Sequence, residues 1–304
     1  MTDENKLIKE RKKKLESIKQ KYQPYPNNFK KRNSVNNLIK NYSKTSKDDL
    51  AKENVTAAIA GRILTIRDMG NSSFANLHDE SGNIQIYLQK KSIGEEQYQL
   101  FNYLDLGDIV GVDGKLFKTK TNELTLNVKN ITLLSKSLRP LPEKFHGIAD
   151  IEIKYRQRYL DLMINMDTKN MFKTRADIIN SVRNFFLDDE YLEVETPMMH
   201  IIPGGAAAKP FITHHNSLDM DLYLRIAPEL FLKRCIIGGY EKVFEINRSF
   251  RNEGLSIKHN PEFTMIEFYC AYQNYLYLMD LIEKLFKKIM STLSMKENFT
   301  YQDM

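Results

Sequence analysis

With 304 residues, near-average apolar content and no tryptophan, the chain is long enough for two domains, each with its own core. No apolar run reaches bilayer-spanning length, and Met1-Thr2-Asp3-Glu4-Asn5 lacks the basic-then-apolar pattern of a secretory signal, so a cytoplasmic protein is expected. Cys235 and Cys270 match no metal or redox spacing and read as plain thiols in a reducing compartment.

The net charge of +6 is uneven: residues 1–52 hold 15 Lys or Arg against 6 Asp or Glu, which leaves the remainder near −3. The excess is concentrated in Arg11-Lys12-Lys13-Lys14 and Lys30-Lys31-Arg32. Such an arm suits a polyanion such as RNA, and equally an amphipathic helix packing through Leu7, Ile8, Leu15 and Ile18; the two readings are compatible.

Residues 4–21 are predicted helical, ended by Pro24 and Pro26, and residues 27–52 pair a short helix with a loop. From Val55 the texture changes to short β-type runs: Val55–Ile66, Ser72–His78, Asn83–Gln89, Ile109–Thr119 and Glu123–Leu134. Gly70-Asn71, Ser81-Gly82 and Thr121-Asn122 supply turns, and a helix is expected near Glu95–Tyr103. Five short strands in this space fit a Greek-key barrel of the OB type, a fold that commonly binds single-stranded nucleic acid.

Leu138-Arg139-Pro140-Leu141-Pro142 is a proline-punctuated linker, and Asp150–Met163 has helical spacing. A long helix over 168–187 follows, then a strand at Leu192–Val194, a Gly-Gly loop over Pro203–Phe211, a strand at Leu222–Ile226 and a helix over Pro228–Gly238. Two apolar runs flank Phe250–Thr264, and an amphipathic helix spans 274–294. The divisions are 1–52, a basic helical extension; 53–137, the barrel; 138–163, a linker; and 164–304, a second domain with an antiparallel sheet. The fold class is α+β.

The chemistry concentrates in Phe250–Tyr269. Arg251 and Glu253 stand two apart, and residues i and i+2 of an extended strand share a face, so both can enter one cleft. His259, Asn260, Phe263, Glu267 and Tyr269 follow within about twenty residues, at positions a hairpin can converge. A guanidinium can hold a carboxylate and a phosphate oxygen together, which is what joining two mutually repelling anions requires. Phe263 can stack on a base, and His259 and Asn260 can contact phosphates. Each has a bland reading: surface cation for Arg251, structural histidine for His259, core for Phe263 and a first-turn acid for Glu229. Glu267 lies in an apolar strand, where an unpaired carboxylate is costly unless a cationic ligand meets it. Pro203-Gly204-Gly205 allows close backbone approach but is not a P-loop.

These residues resemble motif 2 of class II aminoacyl-tRNA synthetases. Tyr155–Leu162, Glu193-Val194-Glu195-Thr196-Pro197-Met198-Met199, Pro203–Pro210, Leu224–Leu230 and Phe250–Tyr269 narrow the likeness to the bacterial lysyl-tRNA synthetase family, from about Pro26 onward. The resemblance implies an OB domain for the anticodon, a class II catalytic domain and a homodimer. It implies activation of L-lysine with ATP and Mg2+, then transfer to lysine tRNA. By matching position, Arg251 would hold the α-phosphate and the lysine carboxylate. Glu253, His259, Asn260 and Phe263 would meet ATP, and Arg251, Glu253 and His259 form the catalytic set. Gly205 and Glu229 would meet the lysine α-amino end, while Glu267 and Tyr269 define the amino-acid pocket. In the barrel, Phe74 would stack on an anticodon base, with Gln85, Arg67 and, more weakly, Glu123 offering hydrogen bonds. Glu190 stands where motif 1 has a glycine. Motif 3 has no counterpart before Met304, so the resemblance is to the family's N-terminal portion; the metal ligands and the acids for the lysine ε-ammonium are expected beyond residue 304, and the 304-residue chain alone is expected to be inactive. A non-catalytic RNA-binding fragment and an aspartyl or asparaginyl relative stay open; a protein-lysylating paralogue fits less well, because such paralogues lack the barrel.

Overall fold

The turn residues after Val55 fold a run of alternating strands back on itself until the sheet closes. In the computed structural model the described residues are 3–141, 150–254, 256 and 259–295. Pro142 of the linker, Leu255, Ile257 and Lys258 of the polar loop, and the end of the 164–304 division lie outside them. The chain divides into two compact units, Met1–Ile164 and Asn165–Met304.

The first unit begins with helices α1 (Asp3–Lys21), α2 (Val35–Tyr42) and α3 (Lys47–Glu53). It continues through β1 (Thr56–Asp68), β2 (Ser72–His78), β3 (Asn83–Gln89), α4 (Lys90–Ile93), α5 (Glu95–Asn102), β4 (Ile109–Lys118) and β5 (Leu124–Ser135). It ends in α6 (Ile151–Arg156) and α7 (Arg158–Ile164). The five strands close in the order β1-β2-β3-β5-β4, with β3 and β5 parallel. Alternation puts Ile59, Ile63, Leu77, Ile86, Leu88, Val112 and Leu126 inside, all fully buried. At the β4 bulge, a Cβ on Gly114 would sit 2.0 Å from the Asn127 carbonyl oxygen, so only glycine lets the two strands meet there.

The segment over 27–52 holds two helices where the sequence suggested one. Ser34 and Ser46 each cap a start, their hydroxyls accepting from the amides of Asn37 and Asp49. Their apolar faces, with Ile18 of α1, join the barrel core. Part of the basic arm is also turned inward. Arg11 donates to the carbonyls of Ser137 and Arg139, Lys14 pairs with Asp105 at 2.6 Å, and Lys31 pairs with Asp79 at 2.7 Å.

The second unit runs through α8 (Met166–Asp188), β6 (Leu192–Glu193), β7 (Met199–His200), β8 (Ile212–His215), β9 (Met220–Leu224), α9 (Glu229–Ile237), β10 (Lys242–Phe250), β11 (Glu262–Cys270) and α10 (Tyr275–Thr292). One sheet has the order β11-β10-β6, with β10 and β11 antiparallel and β6 parallel to β10. A smaller antiparallel sheet has the order β7-β9-β8. β7 and β8 are too short to show alternation in sequence. β9 lies two residues earlier than expected, because Arg225 leaves the ladder to bond elsewhere. The helices α8 and α10 cover one face of the larger sheet. There Phe186 packs against Phe244, Tyr191 and Phe268 at ring separations of 5.2, 5.1 and 4.7 Å.

Candidate active site

β10 and β11 pair in register from Lys242↔Cys270 to Phe250↔Glu262. Facing residues of an antiparallel pair share a side, so each strand splits by parity. Phe244, Ile246, Ile266, Phe268 and Cys270 pack against the helices. The opposite face carries Glu245, Asn247 and Ser249 on β10, all buried, with Phe263, Glu267 and Tyr269 on β11. A sheet face that presents this many polar groups is built for a ligand rather than for a core.

Arg251 continues the parity of that face one residue past β10. Its amide donates to the Pro261 carbonyl, and its guanidinium carbon lies 5.2 Å from the centre of the Phe263 ring. The buried Nε of Arg251 has no hydrogen-bond partner among the described residues. That is a donor in want of an acceptor, beside a ring edge and a polar floor.

Glu253 departs from the expected geometry. Regular pairing stops at Phe250, so Glu253 does not share a strand face with Arg251. It sits in a bend, where its carboxylate accepts from the Lys209 amide at 3.2 Å. The neighbouring Asn252 amide donates to the Lys209 carbonyl, so the Gly-Gly loop and the hairpin tip are fastened together. His259 forms an isolated bridge with Ser256, and its Nδ1 lies 2.7 Å from the Ser256 hydroxyl. Asn260 is exposed beside it.

The remaining predicted residues converge around α9. Gly205 adopts φ +88°, and a Cβ there would lie 2.9 Å from the Glu229 Cβ, so a glycine brings this loop against the acid. Glu229 opens α9 and pairs with Lys233 one turn on. Glu267 is half-buried and accepts from the Tyr269 hydroxyl at 2.7 Å. Burial pushes the Glu267 carboxyl above its ordinary range; the Tyr269 bond opposes this, while the charges of Glu229 and Glu245 add to it and that of Lys233 opposes it. Burial, then the bond to Glu267, pushes the Tyr269 phenol up as well. The pocket therefore holds acids with too little positive charge of its own.

Beneath it lies an ion pair that reading the sequence missed. Arg225 and Glu245, both about 3% exposed, meet at 2.6 Å. Arg225 also donates to the carbonyls of Arg248 and Thr196, and its own carbonyl accepts from the Phe250 amide. The Thr196 hydroxyl donates to Glu245 at 2.6 Å. This knot ties the chain before α9 to the end of β10, and so sets Glu229 relative to Arg251. The only sequence signal was an arginine and a glutamate inside apolar runs, and their pairing spans a separation no local pattern reveals.

Residues 150–303 match the family of class II tRNA synthetases (D, K and N). The chain belongs to that family. It is 55% identical over 300 residues to the lysine–tRNA ligase of Nitrosomonas europaea, covering 99% of this chain and 60% of that one. Similarity to the lysine–tRNA ligases of Neisseria meningitidis serogroup A (54%; 98% of this chain, 59% of that one) and Cupriavidus necator (53%; 99% and 59%) is comparable. The chain thus spans about 60% of the length of the curated relatives it matches.

Residues 57–134 of this synthetase-family chain match the OB-fold nucleic acid binding domain. On the barrel's outer face, Arg67 pairs across strands with Phe74, and Phe74 with Tyr87. The Phe74 and Tyr87 rings lie 4.8 Å apart, and Phe117 meets Tyr87 edge-on at 6.0 Å. Gln85 shares the Tyr87 side of β3; its amide donates to Glu123 at 3.1 Å, and its oxygen accepts from Thr125 at 3.0 Å. Tyr87 and Phe117 went unremarked in the sequence, although Tyr87 stands two residues from Gln85 and alternation puts both on one face. Among the described residues no helix is long and apolar enough to cross a membrane.

Proposed function

We propose that the chain carries the nucleotide and lysine sites, and the anticodon-binding barrel, of a lysine–tRNA ligase. In that reaction the lysine carboxylate attacks the α-phosphorus of ATP, pyrophosphate leaves, and the lysyl group passes to the 3′ end of lysine tRNA. The observation that carries this reading is Arg251: a guanidinium over Phe263, its buried Nε without a hydrogen-bond partner among the described residues, continuing the sheet face that carries Glu267.

Arg251 bridges the two anions and relieves their repulsion, so its work is orientation and charge stabilisation rather than proton transfer. Phe263 stacks on adenine, and Glu253 accepts from the base. His259 and Asn260 stand on the phosphate side. Glu229, brought close by Gly205, takes the α-ammonium; Glu267 and Tyr269 shape the side-chain pocket. Two acids suit an amino acid with two ammonium groups and disfavour aspartate, which would require added cations.

Mg2+ is expected on the phosphates. Among the described residues no three His, Cys, Asp or Glu side chains gather at one point. A homodimer is supported by the exposed run Met198, Met199, Ile201 and Ile202, apolar surface of the kind a partner covers. The free thiols of Cys235 and Cys270 suit the reducing cytoplasm.

Equilibrium titration of ATP into the chain tests the assignment. Arg251→Ala is expected to weaken ATP binding about ten-fold or more, the loss typical of a charge-assisted hydrogen bond to phosphate. Unchanged affinity would remove Arg251 from the nucleotide site.

A further inference from the structure

The acid assigned to the substrate amine already holds an amine. Lys233 Nζ lies 2.5 Å from Glu229 Oε1, one turn along α9, where residues four apart share a side of the helix. The other oxygen, Oε2, faces Gly205. Lys233 is more than half exposed, at 53%, so its ammonium can swing into solvent at little cost, whereas Glu229 is fixed in the first turn at 30%. The charge of Lys233 also reaches Glu267, the second acid of the pocket. Without it, Glu267 would feel the charges of Glu229 and Glu245 with the Tyr269 hydroxyl as the group bonded to it.

Resting on the amine-pocket reading above, we propose that Lys233 is a specificity-determining residue: a resident counter-ion that a substrate α-ammonium must displace from Glu229. The exchange swaps one ammonium for another on the same carboxylate. The α-ammonium therefore contributes little net affinity, and binding rests on the second ammonium and the carboxylate of the ligand. Lys233 thereby keeps the pocket from retaining any amino acid merely because it has an α-amine, and it leaves Glu229 paired when no ligand is bound.

The test is an NMR titration of the whole 304-residue chain with three ligands: L-lysine, norleucine (α-amine only) and 6-aminohexanoate (terminal amine only). Wild type, Lys233→Met and Lys233→Arg are compared; an exposed site lets both variants fold, which their spectra report. Lys233→Met is expected to tighten lysine and norleucine roughly five-fold, the scale of a partly shielded ion pair, and to leave 6-aminohexanoate within two-fold. Lys233→Arg, which keeps the counter-ion, should stay within two-fold of wild type for all three. Equal or weaker lysine binding by Lys233→Met overturns the inference. Equal tightening of all three ligands overturns it too, since that reports only a general field. Failure of the wild type to bind lysine at all would instead bring down the amine-pocket reading, and the inference with it.

Discussion

A buried guanidinium nitrogen without an acceptor costs stability, and among the described residues Arg251 Nε has none. Its neighbours explain why: Phe263 supports the charge from one side, and the sheet floor supplies polar groups that no core needs. The barrel shows the same economy at Phe74, a half-buried ring on an outer face with Tyr87 beside it, open to a flat partner. Phe74→Ala is expected to weaken binding of the lysine anticodon stem-loop by the chain roughly ten- to a hundred-fold at matched salt, the worth of one base stacked on an aromatic ring. Equal affinity of variant and wild type would withdraw Phe74 from the RNA surface. Phe263 was legible in the sequence as a ring opposite Arg251, and Phe74 only through the family resemblance. Lys233 and the Arg225–Glu245 knot were not. Lys233 sits where any exposed helix would place a lysine, and the knot joins residues twenty positions apart whose pairing depends on how β9, α9 and β10 meet.

Among elements, the joint between α2 and the β2–β3 turn is fixed by one carboxylate. Asp79 accepts from Lys31 and the Val35 amide through one oxygen, and from Ser81 and the Gly82 amide through the other. Burial alone would raise its pKa, but these donors outweigh it and hold the carboxyl at about 2. A depressed folded-state value means the bond set stabilises fully above the unfolded pKa near 4 and fades as pH falls towards about 2. The contribution is about 2 kcal/mol at neutral pH, from a carboxylate that is only 3% exposed. Asp79→Asn should remove that much of the pH dependence of unfolding between pH 4 and pH 2, as read by chemical denaturation across the window. Identical pH profiles would show that the joint does not rest on this charge. Long elements such as α8, β10 and β11 declared themselves by period. β7 and β8 did not, because strands of two and four residues are too short to show a period; they exist because β9 supplies both edges. Glu253 was misplaced for a related reason: an i, i+2 argument holds only while the strand lasts, and β10 ends at Phe250.

At the scale of the molecule, the chain divides into two compact units with separate cores, one closed barrel and one helix-covered sheet. The barrel carries rings and amides on its outer face, and the sheet carries an arginine beside polar and acidic side chains; the proposal assigns the first to an RNA and the second to a nucleotide and an amine. Membership of the class II family follows from residues 150–303, and the proposed preference for lysine within it rests on charge. Burial raises the Glu267 carboxyl, and the nearby charge of Glu229 adds to it, so Glu267 is the acid a cationic side chain would relieve. The measurement that tests this most directly is a competition titration of the chain with non-hydrolysable lysyl-adenylate and aspartyl-adenylate analogues, identical except for the side chain. The lysyl compound is predicted to bind at least about a hundred-fold more tightly, the yield of roughly 3 kcal/mol from a second ammonium meeting a half-buried carboxylate. Equal binding of the two, or preference for the aspartyl compound, would contradict the account.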